Sequence, residues 1–425
     1  MANSSNNLSS NVTNKVARVF LEKAEASRVL TKTVDMQLLG GQFNPASGTT
    51  VNFKRPHDYK SDRTSAGDIS STDRSDITAG YATGTVQNYF TVHADWDEVD
   101  EALKLDQLDQ ILAPMAERII TDLELDFGAY MYKNCNLHYG TPGTVVDAWS
   151  DVAGAGALLD SMGVPAGERY YVMNPFTTTN LADAQRGLSS GDNSLVTTAW
   201  QNAVVTGKFG NLLALTSNAL SSYTSGTATD RAGTLSANPD VTYATHKDTM
   251  IQSLAVTGMT TTGTIKAGEI VEITGRNRVG LSTRQAFTNA SGAQILWSGV
   301  VTSDVTLSGG AGTITVAGPA IYEANGQYNT ADSAPVSGDV ITVLGSASTV
   351  YQPNLFYHKQ AFGIGTVPLK KLYATDTVMT TKDGLSMRVS RYADGDANKQ
   401  KIRFDLLPAY ATFNPFYAGQ GFGVA

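Results

Sequence analysis

The chain has 425 residues, 41% of them hydrophobic, and a formal net charge of −8. That length calls for about two to three domains, and the hydrophobic fraction excludes a mainly disordered chain. An acidic chain whose longest basic cluster is Lys370-Lys371 has no stripe with which to neutralise a phosphate backbone, which speaks against a nucleic-acid binder.

A lone cysteine, Cys135, excludes an internal disulfide framework and a cysteine-based zinc site. The polar start, Met1 to Ser10, lacks the charged-then-apolar pattern of a signal peptide. No run approaches the roughly 18 apolar residues of a membrane helix. The expectation is a chain made and kept in a cytoplasm-like compartment.

Taken in chain order, Val16, Val19, Phe20 and Ala24, then Leu30, Val34 and Leu38, recur at helical spacing before Gly40-Gly41. They predict an N-terminal surface helix whose apolar face needs a partner. Val51 and Phe53 alternate with Asn52 and Lys54 up to Pro56, and Phe90, Val92 and Ala94 form a second alternating strip. Between them runs a polar excursion containing Asp58, Lys60, Asp62, Arg63, Asp68, Asp73, Arg74 and Asp76. At roughly thirty residues it is too long for an ordinary loop and predicts an extended arm on two strands.

From about Asp95 to Asn134, the residues Leu108, Ile111, Leu112, Met115, Ile119, Leu123, Phe127 and Tyr130 step by three and four, predicting the longest helix. Its acids between Asp95 and Glu101 would complement the N-terminal dipole, and Pro114 is expected to kink or split it. Beyond it, Asp151–Met162 and Asn180–Arg186 read as helices, and Tyr170–Met173 and Leu212–Leu215 as short buried strands. Leu355 to Pro368 reads as a further strand pair of the same unit.

Residues 224–350 interrupt this unit with a different composition: 15 charged residues in 127, against 55 in the other 298. The block is rich in Thr, Ser and Gly. Short strips recur in it at Val241–Tyr243, Val271–Ile273, Val305–Leu307, Ile314–Val316 and Ile341–Val343. Two stretches, Lys266–Gly275 and Ser337–Gly345, share wording: Gly and an acid open a strand that ends at Gly. This pattern predicts a closed barrel or sandwich. Near the end, Met387 and Val389 are answered by Ile402, Phe404 and Leu406 across a turn at Ala393–Gln400, with Lys401, Arg403 and Asp405 facing out. That is a hairpin, closed by Pro408 before a Gly-rich tail.

Catalytic patterns fail on context. Gly187-Leu-Ser189-Ser-Gly191 matches a hydrolase elbow, but a helix precedes it where a strand is needed. Asp394-Gly-Asp396-Ala-Asn398 opens like a calcium loop, yet Lys399 stands where the turn glycine belongs and Asp405 where a Glu belongs. Gly154-Ala-Gly156 lacks a preceding strand and a third glycine. Histidines 57, 93, 138, 246 and 358 are scattered. No catalytic residue, metal site or cofactor is expected. A non-enzymatic building part is the reading, with a fibre or adhesin-like β-rich binding protein as the alternative.

The order of these parts resembles the major capsid proteins of tailed phages with the Hong Kong 97-type fold. It is most similar to the coat proteins of short-tailed Salmonella and Shigella phages, which carry an inserted β-barrel domain. The residues that carry the resemblance are Val51–Pro56, Arg63–Ser70, Ile111–Pro114, Asn354–His358 through Pro368, and Arg391–Asn398 through Asn414-Pro415.

The resemblance implies an α+β fold with an N-terminal arm at 1–47 and an extended loop at 48–90. A peripheral domain with a spine helix follows at 91–144. An axial domain in two parts, 145–223 and 351–375, flanks an inserted barrel at 224–350. A peripheral hairpin and tail complete the chain at 376–425. It further implies copies arranged as pentamers and hexamers in an icosahedral shell, assembled with a scaffolding protein and a portal protein in the bacterial cytoplasm. That shell would mature around double-stranded DNA without binding it specifically, and without a membrane. The charged loop would lie over an adjacent subunit, which makes Lys54, Arg55, Arg63, Asp68 and Arg74 candidates for subunit contacts.

Overall fold

The computed structural model of the chain describes residues 28–39, 48–72, 74–97, 108–186, 208–373, 376–381, 384–394 and 399–424. The expected helix at Val16–Ala24, the acids from Glu98 to Glu101, Ser189 and the hairpin tip at 395–398 lie outside them. The chain divides into two compact units: 1–51 with 84–128 and 362–411, and 52–83 with 129–361 and 412–425.

In the first unit, a four-stranded antiparallel sheet runs Thr377–Thr380, Ser386–Asp394, Lys399–Leu406, Phe90–Asp97. The terminal hairpin is present in the expected register, with Val389 opposite Phe404. Its faces differ from the simple alternation. Asp405, expected to face out, is fully buried. It accepts hydrogen bonds from Arg403 Nε at 2.6 Å and Thr91 Oγ1 at 2.8 Å, and it pairs with Arg388. Burial alone would raise its pKa, but these donors outweigh burial and hold it below the ordinary carboxylate value.

The alternation at Phe90 runs on to Asp97, so Asp95 is in a strand opposite Lys401 and does not begin a helix. The spine helix is Leu108–Lys133, and it runs through Pro114 without splitting. It buries Met115, Ile119, Leu123 and Phe127 as the spacing predicts. Leu30, Val34 and Leu38 are buried too, but the segment from Arg28 to Leu39 is turns and one short 3-10 helix. The cause is Glu124 of the spine helix. Its buried carboxylate accepts the backbone N–H groups of Val29, Leu30 and Thr31 at 3.2, 2.7 and 2.9 Å, and the Thr31 hydroxyl donates to it as well. Amides turned toward one carboxylate are lost to an α-helix.

The second unit holds a six-stranded mixed sheet in the order Leu137–Tyr139, Ala418–Gly421, Asn354–His358, Arg169–Met173, Leu212–Thr216, Lys208–Phe209. Helices Trp149–Met162 and Pro175–Arg186 supply the apolar cover, with Val152, Leu159, Met162 and Leu181 against Tyr171, Met173 and Phe356. The Gly-rich tail supplies a buried strand of this sheet, Ala418–Gly421, between Leu137–Tyr139 and Asn354–His358. One expectation changes here: Leu355 to Pro368 is not a pair within one unit, since Asn354–His358 belongs to this sheet, whereas Phe362–Thr366 belongs to the first unit.

Residues 232–343 of the second unit form a closed antiparallel barrel of six strands. They are Ala232–Leu235, Ile251–Thr257, Ile270–Asn277, Leu296–Val301, Gly312–Ala317 and Val340–Val343. The two stretches of shared wording are neighbours in it, with Val271 opposite Val343 and Ile273 opposite Ile341. Trp297, Leu254, Val256, Ile273, Ile314 and Ile341 fill the interior, each contributing about 1.5–3 kcal/mol on full burial. Val305–Ser308 pairs with Thr262–Ile265 outside the barrel, and Val241–Tyr243 leads into a short helix at Tyr243–His246 instead of a strand. The chain enters and leaves through a two-strand neck, Tyr223–Thr224 against Val350–Tyr351.

Candidate functional site

The arm between Arg55 and Gly80 leaves and returns through paired backbone. Arg55 N–H donates to Gly80 O at 2.8 Å, and Thr83 Oγ1 bonds Asn52 Oδ1 at 2.9 Å. From Asp62 to Ser71 every residue is exposed, as are Tyr59 and Ile77. The stretch thus exposes both charge and apolar side chains without a core of its own.

The five candidate residues separate in the structure. Lys54, Arg63, Asp68 and Arg74 are exposed. Asp68 accepts the Ser70 N–H at 2.9 Å, which lowers its pKa and fixes it as an anion. Arg55 is buried inside its own chain. Its guanidinium donates to Phe413 O and, at 3.3 Å, to Asp248 O. Burial, partly offset by Tyr243 and Asp248, pulls its pKa down to about 10, so it stays charged at neutral pH. The alternating pattern at 51–54 gives no sign that the next residue turns inward.

A second polar centre, which sequence reasoning missed, ties the barrel to the six-stranded sheet. Asn136, just after the spine helix, is fully buried. Its amide nitrogen donates to the carbonyls of Ser298, Ala317 and Gly318 at 2.8, 3.0 and 3.1 Å. Buried Arg278 donates to Asn136 Oδ1 and to Ser298 O at 2.8 Å. Burial lowers its pKa to about 10, with Glu272 opposing. His138 Nε2 is 3.3 Å from Glu272.

At the neck, Glu269 accepts from Arg231 Nη2 at 2.9 Å and from Gly226 N–H. Burial raises its pKa, with Arg231 and the amides pulling the other way. Such buried polar centres fix how two pieces meet.

Of the catalytic patterns, Gly154, Gly156 and Asp394 lie among the described residues. Gly154 and Gly156 lie inside the Trp149–Met162 helix, not in a phosphate loop, and a Cβ at Gly156 would stand 2.1 Å from Gly210 O. Asp394 pairs with Lys401 at 2.8 Å across the hairpin. Among the described residues no group of three or more His, Cys, Asp or Glu could hold a metal. Cys135 is buried and its thiol is pushed up to about 12 by burial, so it is inert at neutral pH.

A family model described as P22 coat protein, gene protein 5, matches residues 1–423. The chain belongs to the P22 coat protein family. A major capsid protein from Acyrthosiphon pisum secondary endosymbiont phage 1 is 43% identical to this coat protein over 421 residues, covering 98% of the chain and 99% of the relative. Among solved structures, one from Mycobacterium phage Che8 is similar at 12% identity and a TM-score of 0.47, covering 92% of this chain and 90% of that one. The capsid structure of cyanophage P-SCSP1u is similar at 11% identity and a TM-score of 0.43, covering 89% and 85%. The coat protein is a phage major capsid protein that forms the capsid shell, in a structural family and not an enzyme family. The fibre or adhesin alternative is thereby set aside.

Proposed function

We propose that this coat protein is a Hong Kong 97-type tile that assembles with a scaffolding protein and a portal protein, in the host cytoplasm, into an icosahedral procapsid of pentamers and hexamers. The shell then matures around packaged double-stranded DNA. The observation that supports this most is the exposed arm. Lys54, Arg63, Asp68 and Arg74 stand clear of the subunit's own core, placed to meet an adjacent copy. Surface ion pairs are worth about 0–1 kcal/mol each, so such contacts can be broken and remade as a shell changes shape. Repetition over many copies then supplies the strength. The net charge of −8 fits a lining that must release DNA easily.

In this reading 1–47 is the N-terminal arm, 48–90 the extended loop, 91–144 and 376–425 the peripheral domain, 145–223 and 351–375 the axial domain, and 224–350 the inserted domain. The barrel at 232–343 and its two-strand neck support the last assignment.

The test is charge reversal at the four exposed positions. Lys54→Glu, Arg63→Glu, Arg74→Glu and Asp68→Lys, alone and combined, are co-expressed with the phage's scaffolding protein, and particles are counted by negative-stain microscopy. The combined variant is expected to lose most closed shells while its monomer stays folded. Unchanged particle yield and shape would count against the arm as a contact surface.

A further inference from the structure

The barrel's strand directions place three of its connections at one end. Neighbours around the ring are antiparallel throughout. The links from Leu235 to Ile251, from Asn277 to Leu296 and from Ala317 to Val340 therefore emerge together. The chain enters at Ala232 and leaves at Val343, at the opposite end. All three links converge on the arm of the same chain.

The first link supplies Lys247 and Asp248. Lys247 Nζ donates to Ala79 O at 3.1 Å, and Asp248 Oδ1 accepts the Tyr81 N–H at 3.0 Å. Its backbone comes so near that a Cβ on Gly80 would stand 2.6 Å from Lys247 O. The second link supplies Arg284. Its Nη1 donates to Asn329 O at 2.9 Å, and its other nitrogens grip Asp58 Oδ2, Nε at 3.1 Å. The third link supplies Gln327, whose amide donates to Asp76 O at 2.7 Å, and Tyr328, whose hydroxyl accepts the Asp58 N–H at 3.4 Å. Tyr328 stacks on Tyr243 of the first link with ring centroids 3.7 Å apart, which joins the links into one surface.

We propose that these three links form a seat for the chain's own arm, gripping its outgoing limb at Asp58 and its returning limb at Asp76–Tyr81. The barrel thereby fixes the arm's take-off in each subunit before any neighbour is met. The grip stops at the root, because the residues from Asp62 to Ser71 are exposed. A seated root with a free tip gives an arm of set direction and adaptable end. Fixing the direction beforehand lowers the ordering cost of each contact made later. The use of the seat in shell building rests on the proposed function; the seat itself is a property of the isolated subunit.

The experiment is amide hydrogen exchange on the full, unassembled chain, with Arg284→Ala and Asp58→Ala as variants and shell closure scored separately. In the natural chain, amides at Arg55, Asp58 and Tyr81 are expected to be protected, and those from Asp62 to Asp68 are not. Each variant removes a charge-assisted pair and is expected to speed exchange at the arm root about tenfold, leaving the barrel amides of Leu254, Val271 and Ile314 unchanged. If Arg284→Ala disturbs the barrel, Asp58→Ala decides alone, since it alters only the arm. An arm root that exchanges freely in the natural chain, or no faster in either variant than in the natural chain, overturns the seat. Variants that loosen the root yet close normal shells overturn its role in setting the arm. Failure of the natural chain to form shells under any condition would strike the capsid reading and leave the exchange result standing.

Discussion

Arg231 and Glu269 meet at the barrel neck at 2.9 Å, with side-chain exposures of 8% and 1%. At an effective dielectric of about 20, their attraction is about 6 kcal/mol at that distance. Burial nevertheless leaves the Glu269 pKa above its ordinary value, so desolvation of the carboxylate exceeds what its partners return. Removing Arg231 alone, as Arg231→Met, leaves a buried unpaired charge and should cost about 3–5 kcal/mol at neutral pH. Removing both, as Arg231→Met with Glu269→Leu, should return stability to within about 1–2 kcal/mol of the natural chain.

The pH dependence has a definite sign. A carboxyl whose folded pKa is raised holds more protons folded than unfolded. Its destabilising effect therefore grows as pH climbs from the ordinary value of 4.5 through the raised one. Without Arg231 that pKa rises further, so the single variant should lie closest to the natural chain below pH 4.5 and furthest from it at neutral pH. Chemical denaturation of the monomer, followed by circular dichroism at several pH values, reads both effects. A single variant costing under about 1 kcal/mol, or a double variant no better than the single, would refute the reasoning.

Two further outcomes follow from the same packing. Glu124→Ala should release the four donors that its carboxylate holds, destabilising the chain by about 3 kcal/mol and unprotecting the amides of Val29, Leu30 and Thr31 in hydrogen exchange. Gly156→Ala should destabilise the helix-to-sheet packing, because its Cβ would meet Gly210 O at 2.1 Å. A drop of several degrees in Tm is expected, and an unchanged Tm would mean that the Gly210 turn yields freely.

Much of the architecture was legible because burial imposes simple periods. The alternation at Met387–Val389 and Ile402–Leu406 gave the hairpin, and the spacing from Met115 to Phe127 gave the spine helix. The repeated wording of Lys266–Gly275 and Ser337–Gly345 marked two strands that prove to be neighbours. The errors came where a distant partner overrides local pattern. Asp95 looked like a helix start but lies in a strand opposite Lys401. Leu30, Val34 and Leu38 had helical spacing, yet Glu124, some ninety residues away in sequence, takes their neighbouring amides. Asp405 alternated outward but is buried with Arg388. For the candidate site, sequence located the arm and its exposed charges. It could not show that Arg55 turns inward, or that Arg284 and Gln327 reach back to the arm across more than two hundred residues.

The most direct test of the account is a reconstruction by electron microscopy of shells assembled from this chain. The prediction is density for each arm, from Tyr59 to Ser75, running over the adjacent subunit, with Lys54, Arg63 and Arg74 opposite that neighbour's carboxylates. A shell in which each arm touches only its own subunit, or a chain that never leaves the monomer state, would contradict it.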